Sequence, residues 1–435
     1  MSRAHARPGR HRKEPDGASA GRRISLVTFD QVLSSISNLL ALVLVAHALA
    51  PEDFGRFSLL FVGYTLAQAA VRSLVSMPAM VHPEDSRHRP QVALGAAVLL
   101  GGAISLVCIS LGAVMMLAGQ SIGSAVLTLG VCLAPLLLQD VGRYVAFGRG
   151  EPQQAIVLDT AWLVLLIAGF AVEERFDLVT LDRLVIAWAA SGAVSGLWVF
   201  VRYGVPTGRD LSLDWIRRRW DFSWRSLVGN FFAQSVGLLG AIAAAAVSTA
   251  SVVAAVRASL LLGRPSATVQ LGVATSTAAD VAREEADDEG LRRHQRRALG
   301  IAAAVATLNL GILLVLPDFL GRALLGQVWP IMEPLVLPAG LFGLVQAAQT
   351  SISAVLIGRR QMATVMRVDI LGAMIGVACL VGGARLGQAS GAVWGTVVGQ
   401  GMVSAIWVVI YLRHLSRSAA TPVRPDTERA VADVA

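Results

Sequence analysis

Charge is scarce in this sequence and cysteine scarcer still. Of 435 residues only 15% are charged, against 55% that are hydrophobic, and the mean hydropathy is +0.62. That balance excludes an ordinary soluble globular domain. The three cysteines, Cys108, Cys132 and Cys379, all fall within apolar runs, without metal-ligand spacing or partnered histidines, and are read as buried, inert thiols. Walker A and HExxH patterns are missing. So is any long outside loop that would hold the carboxylates of a membrane glycosyltransferase or polymerase, since the longest such loops, 174–183 and 317–332, are short. No enzyme activity, cofactor or metal is expected. A cleavable signal pattern is also missing: the first 23 residues form a polar, Arg-rich tail that passes straight into an apolar run and is expected to stay in the mature protein.

What the sequence has in abundance is apolar runs of membrane-spanning length, and only helices or closed barrels satisfy every backbone polar group in lipid. Twelve helical spans are predicted, at roughly 24–49, 54–82, 91–118, 121–147, 154–173, 184–201, 223–247, 251–279, 298–316, 333–357, 364–384 and 389–412. The expected fold is therefore all-α and integral to the membrane. The net charge of +8 raises the question of nucleic acid, but the arginines lie in short loops beside apolar spans, where topology explains them. No nucleic-acid partner is expected. With the N-terminus inside, 29 Lys and Arg residues fall on the inner side and five on the outer, leaving Arg72, Arg257 and Arg264 within spans. This asymmetry predicts that both termini are cytoplasmic. Arg143 and Arg149 are counted with the inside turn 143–153.

A repeat crosses the spans. At an offset of 210, "QDVGRYVAFGRGEPQQAIVLD" aligns with "QTSISAVLIGRRQMATVMRVD", pairing Gln139 with Gln349, Gly148 with Gly358, Arg149 with Arg359 and Asp159 with Asp369. Six helices make one unit, so the two units share one orientation in the membrane. The expected division is a basic tail at 1–23, an N-lobe at 24–201, a linker at 202–222, a C-lobe at 223–412 and a second tail at 413–435.

Polar residues recur at helical spacing inside four spans: Asp30, Ser34, Ser37 and Asn38 in the first, Tyr64, Gln68 and Arg72 in the second, Ser226, Asn230 and Gln234 in the seventh, and Arg257, Arg264, Thr268 and Thr275 in the eighth. Interhelical hydrogen bonding is one reading. Arginine needs more than that, because a charge deep in the bilayer requires a partner or a water-filled cavity. One reading is that Arg72 and Arg264 neutralise Asp30 or another acid. The other is a hydrated cavity between the lobes, faced by Asp30, Gln68, Asn38, Asn230 and Gln234 and walled by Arg72, Arg257 and Arg264, which suits an anion such as a diphosphate. Asp159 and Asp369 lie at inner helix starts, where an acid also complements the helix dipole. Gly263 and Pro265 flank Arg264 and predict a bend there.

The opening "DQVLSSISNLLALVLVAHALAPEDFGRFSLLF", the "FGRGEPQQAIVLDTAW" segment and twelve spans in two sixes resemble the polysaccharide-flippase branch of the multidrug/oligosaccharidyl-lipid/polysaccharide (MOP) exporter superfamily, over about 24–412. The resemblance implies two six-helix lobes around a central cavity, alternating access, and transfer of an undecaprenyl-diphosphate-linked oligosaccharide across a bacterial inner membrane for surface polysaccharide synthesis. It also implies membrane lipids and other polysaccharide-assembly membrane proteins as partners. Related drug exporters use a first-helix acid for cation coupling, which makes Asp30 the candidate here, although it stands only about two turns from the inner end. The alternative within the same fold is a MATE-like exporter of small molecules. A major-facilitator transporter is disfavoured because the second-to-third loop, "HPEDSRHRP", lacks that family's Gly/Asp/Arg-rich motif.

Overall fold

A computed structural model describes residues 17–176, 178–247, 250–284, 287–325 and 328–420. The greater part of the expected basic tail, 1–16, and the end of the second tail, 421–435, lie outside the described residues.

Helix α1 spans Gly17–Ala48, α2 Pro51–Val71, α3 Pro90–Leu117, α4 Gly123–Arg149, α5 Pro152–Arg175 and α6 Leu181–Tyr203. Helix α7 spans Trp220–Val247, α8 Ala250–Glu284, α9 Asp288–Leu314 and α10 Val336–Gly358. The last helical stretch, Met362–Ala420, breaks at Gly387 and Gln388, whose backbone angles are not helical, giving α11 at 362–386 and α12 at 389–420. The two legs lie side by side: a Cβ at Gly395 would meet the carbonyl of Cys379, and Gly399 lies against the Cys379 side chain. Among the described residues ten helical stretches are long and apolar enough to cross a membrane, one of them the broken Met362–His414. With α7 as a further 28-residue helix, the arrangement is consistent with twelve spans and is that of a multi-pass membrane protein.

Local chemistry sets the helix ends. Gly150, at φ 79°, closes α4 in the left-handed region, and Pro152 opens α5 where its missing N–H costs nothing, so α4 and α5 form a tight hairpin. Asp287 caps α9 by accepting the Gly290 N–H at 2.8 Å. That cap corrects the expected loop at 280–297: α8 runs to Glu284 and α9 begins at Asp288, both extending beyond their apolar spans. Helix α1 likewise starts at Gly17, seven residues before the apolar run.

Helix α4 packs against α3, α5 and α6, and α1 against α5 and α8; α10 packs on α8 and α9, and α7 on the α11–α12 hairpin. The offset of 210 has a geometric counterpart. A Cβ on Gly148 at the end of α4 would lie 3.0 Å from the carbonyl of Ala79, at the end of the α2 segment, while one on Gly358 at the end of α10 would lie 2.7 Å from the carbonyl of Ala278, near the end of α8. The repeat therefore places α2 beside α4 as it places α8 beside α10.

One end of the bundle is rich in arginine and bridges the first six helices to the rest. There Arg23 meets Asp280 at 3.2 Å and Glu284 at 3.5 Å, Arg283 donates to the Phe147 carbonyl at 2.7 Å, and Arg360 meets Glu84 at 2.9 Å.

Candidate functional site

About two turns from this end, four helices of the first half bring five charged side chains together. Asp30 comes from α1, Arg72 from the end of α2, Asp140 and Arg143 from α4, and Asp159 from α5. The aromatic packing of α2 on α6 sets the height of Arg72: Trp188 lies at ring-centroid distances of 5.5 Å from Phe57, 5.5 Å from Phe61 and 5.2 Å from Tyr64. One turn further on, Gln68 donates to the Tyr64 hydroxyl at 2.9 Å and to Asp140 Oδ1 at 3.3 Å. Arg72 then forks onto Asp140, with Nη2–Oδ1 at 2.6 Å and Nε–Oδ2 at 3.2 Å, and its guanidinium lies 5.4 Å from the Tyr144 ring. Beyond Arg72 the helix passes into a π-helical turn, Arg72–Ser76. The Leu74 carbonyl in that turn accepts a hydrogen bond from Ser223 of α7 at 3.1 Å, re-satisfying a group that the altered ladder leaves available.

Arg143 is the centre of the cluster. It is 2% exposed, donates to Asp30 Oδ2 from Nη2 at 2.5 Å and Nε at 3.2 Å, to Ser34 Oγ at 3.2 Å, and lies 3.3 Å from Asp159 Oδ2 and 3.7 Å from Asp140 Oδ1. Gln139 holds the other Asp159 oxygen at 2.6 Å. Buried charges of this kind persist only when paired and hydrogen-bonded. Three carboxylates here face two guanidiniums, a formal excess of one negative charge, and among the described residues Asp30 Oδ1 and Asp159 Oδ2 have no hydrogen-bond donor. The unpartnered carboxylate oxygens can therefore take up one proton without breaking an existing hydrogen bond.

This geometry changes several sequence expectations. Asp30 and Ser34 do not face a cavity between lobes: they point at Arg143 of α4, and Asp30 is fully buried. Arg143 is not in a turn but two turns inside α4. The fourth span, 121–147, already contained it, but the charge count placed it with the inside turn 143–153; the i,i+3 pair Asp140 and Arg143 near the inner end of that span was the signal available. Asp159 is no helix-start acid, since it sits two turns into α5 and joins the Arg143 cluster. Arg72 is neutralised by another acid, Asp140, as one of the two readings held.

The other expected site residues remain apart from this cluster. Asn38 is half-buried with Oδ1 unpartnered, Asn230 is half-buried, and Gln234 is exposed. Arg257 and Arg264 are exposed on α8 and, among the described residues, form no hydrogen bond or ion pair. Helix α8 continues through Pro265 as one helix. The cysteines are half-buried rather than buried, with Cys108 donating to the Val126 carbonyl at 3.4 Å. Among the described residues no group of His, Cys, Asp and Glu has the arrangement of a metal site.

No family profile and no curated protein matches the chain by sequence. Solved structures do match by shape. A MATE in the straight conformation superposes with a TM-score of 0.75 at 16% identity, covering 93% of this chain and 97% of that one. The chain has the MATE-type fold of the MOP superfamily. An outward-facing MATE transporter of that superfamily gives 0.76 at 16% identity over 93% and 96% of the two chains. A Pyrococcus furiosus MOP transporter, described as having a binding pocket of reversed polarity that suggests a different function, gives 0.72 at 15% identity over 93% and 96%.

Proposed function

We propose that this chain is an alternating-access exporter of small molecules, whose first six helices carry the coupling site in the Asp30–Arg143–Asp159–Asp140–Arg72 cluster. The observation that carries this reading is the buried excess carboxylate: a cluster with three acids and two arginines can be loaded and unloaded with one positive charge, which is what coupling to an ion gradient requires. The MATE-type fold supports it, because it supplies two sets of helices able to rock about a midplane site. In this reading the units are 24–201 and 223–412, the membrane is a bacterial inner membrane and both termini are cytoplasmic. The cross-bridges at the arginine-rich end, Arg23–Asp280 and Arg360–Glu84, hold that side closed.

A second reading, transfer of an undecaprenyl-diphosphate-linked oligosaccharide, is favoured by Arg257 and Arg264 on α8, which are unpaired among the described residues and suit phosphate oxygens. Other polysaccharide-assembly membrane proteins would then be partners. Reconstituted liposomes separate the two. Gradient-driven efflux of a cationic dye, unchanged by Arg264→Ala, supports the exporter. Transfer of a fluorescent lipid-diphosphate glycan between leaflets, abolished by Arg264→Ala and without dye movement, rejects it in favour of the flippase.

A further inference from the structure

The segment between the two halves, 204–220, is fastened along α3 as a strap. Gly204, at φ 86°, ends α6, and Gln91 of α3 donates to the neighbouring Tyr203 carbonyl at 2.7 Å. Asp210 accepts from the Thr207 N–H at 3.0 Å and from its hydroxyl at 2.8 Å, and lies 3.6 Å from Arg89. Farther along, Asp85 Oδ2 takes both the Trp215 indole N–H at 2.9 Å and an Arg219 N–H at 2.7 Å. Between these ties, a Cβ added at Gly95 would strike the Asp210 carbonyl, so the strap lies backbone against backbone on α3.

Gly95 fixes both the depth and the side of this strap. Helix α3 has 28 residues, about 42 Å of helix against a hydrocarbon core of about 30 Å, so roughly its first four residues lie among lipid heads. Gly95, in the second turn of α3, is therefore at the edge of the core, and the strap crosses α3 at headgroup level. Gly95, Leu99 and Leu106 share one face of α3, and Leu99 and Leu106 are exposed, as side chains against lipid are. The strap thus covers the end of a lipid-facing stripe.

The ties use one side of the strap and leave the other open. Trp215 and Ile216 are buried, whereas Val205, Leu211, Leu213 and Trp220 are exposed, the last by 52%. Leu213, Arg217 and Trp220 follow helical spacing on the open side. Arg209, Arg217 and Arg218 are exposed as well. Among the described residues Arg209 and Arg218 form no hydrogen bond or ion pair, and Arg217 reaches only the exposed Asp214, at 3.5 Å. Water would leave the four apolar side chains bare, and hydrocarbon would leave the guanidiniums unsolvated; the headgroup zone suits both.

We propose that the open side of this strap docks on anionic phospholipid heads of the leaflet at the arginine-rich end, with Trp220 and Leu213 sunk between the heads and Arg209, Arg217 and Arg218 on their phosphates. Tryptophan belongs at this level because its ring is apolar and its edge polar, and the planar fork of arginine matches phosphate oxygens. Anionic heads are preferred to zwitterionic ones because three exposed guanidiniums stand against one exposed carboxylate, that of Asp214. The surface is separate from the Arg143 cluster and serves either transport reading.

Fluorescence quenching of the full chain in lipid nanodiscs tests it. A bimane label is placed on Leu213→Cys in a background of Cys108→Ala, Cys132→Ala and Cys379→Ala. The quenchers are iodide in the water, or a nitroxide near the head of either phosphatidylglycerol or phosphatidylcholine at equal low fraction. Both lipid probes should quench more than iodide, and phosphatidylglycerol about fivefold more than phosphatidylcholine, the factor that one arginine contributes at an anionic surface. The Arg209→Gln/Arg217→Gln/Arg218→Gln variant should equalise the two lipid probes. Arg292→Gln/Arg296→Gln, which removes exposed charge from the start of α9, should leave their ratio as in the parent. Stronger quenching by iodide than by lipid, equal quenching by the two lipids in the parent, a ratio that survives in the triple variant, or the same loss in the Arg292/Arg296 variant would each overturn the proposal.

Discussion

The two halves solve the same packing problem with different chemistry. In the first, α2 is tied to α4 by ions, Arg72 and Gln68 on Asp140. In the second, the repeat-related α8 is tied to α10 by neutral groups: Thr350, at the position matching Asp140, donates to Gln270 Oε1 at 2.9 Å, and Gln270 donates to the Gly343 carbonyl at 2.8 Å and to Ser266 at 3.1 Å. Arg143 is matched by Ser353, which bonds back to the Thr350 carbonyl at 3.3 Å. Asp159 is matched by Asp369, which lies beside Gly229 of α7 and, among the described residues, has no ion-pair partner. Gln139 holds Asp159, whereas Gln349 is bonded to Gln400 of α12. A shared scaffold therefore does not require the charges. Between α8 and α10 neutral hydrogen bonds suffice, so packing at this position does not by itself call for the ionic cluster of the first half.

The comparison breaks most visibly at Arg143. Arg143→Leu leaves Asp30 and Asp159 buried without a cation and should cost about 3–5 kcal/mol, read as a large fall in the unfolding temperature of the detergent-purified protein. Ser353→Leu, its repeat-related counterpart, removes one local hydroxyl bond and should stay within about 1 kcal/mol of the parent. Adding Asp30→Leu and Asp159→Leu to Arg143→Leu should recover most of the loss, since a well-packed apolar replacement of a buried ion cluster is tolerated.

The ends of α2 and α8 sharpen the contrast through pH. Helix α8 ends in Arg283 and Glu284, whereas the α2 segment ends at His82, which is 6% exposed and donates from Nδ1 to the Pro78 carbonyl at 2.9 Å. Burial, reinforced by the nearby Arg360, pushes the His82 imidazole down to about 4. In the unfolded chain it titrates near 6.5, so between the two values the unfolded state binds the extra proton. The stability contributed is full above about pH 6.5 and is lost as pH falls toward 4, on the order of 2–3 kcal/mol. Unfolding temperatures measured across that window should fall in the parent and fall distinctly less in His82→Gln.

Smaller effects follow from exchanging the matched residues. Asp140→Thr writes the second half's solution into the first and strands Arg72, costing about 1.5–3 kcal/mol because a charged hydrogen bond is lost at a half-buried site. Thr350→Val removes one donor to Gln270 and should cost about 1 kcal/mol. Equal losses in the two variants would show that the halves are not chemically distinct.

Much of this architecture was legible in the sequence. Apolar run length placed the spans to within a few residues, apart from the polar extensions of α1, α8, α9 and α12, the last running to Ala420 into the expected tail, and the offset of 210 found the matched ends of α4 and α10. The polar arc on α1 was visible as well, but a one-dimensional arc does not say which neighbour it faces, so Asp30 and Ser34 were assigned to a cavity rather than to Arg143. Asp140 and Arg143 lie inside the fourth span, but the charge count gives Arg143 to the inside turn because the carboxylates that satisfy it stand on other helices, which a one-dimensional reading does not show.

The central claim is that ion coupling belongs to the first half. The most direct measurement is ethidium transport driven by an imposed pH gradient in proteoliposomes, comparing the parent with Asp30→Asn, which keeps the shape and a hydrogen bond to Arg143, and with Asp369→Asn. The account predicts gradient-driven transport by the parent and by Asp369→Asn, and its loss by about tenfold or more in Asp30→Asn, as expected when a coupling charge is removed. Undiminished transport by Asp30→Asn together with loss in Asp369→Asn would contradict it.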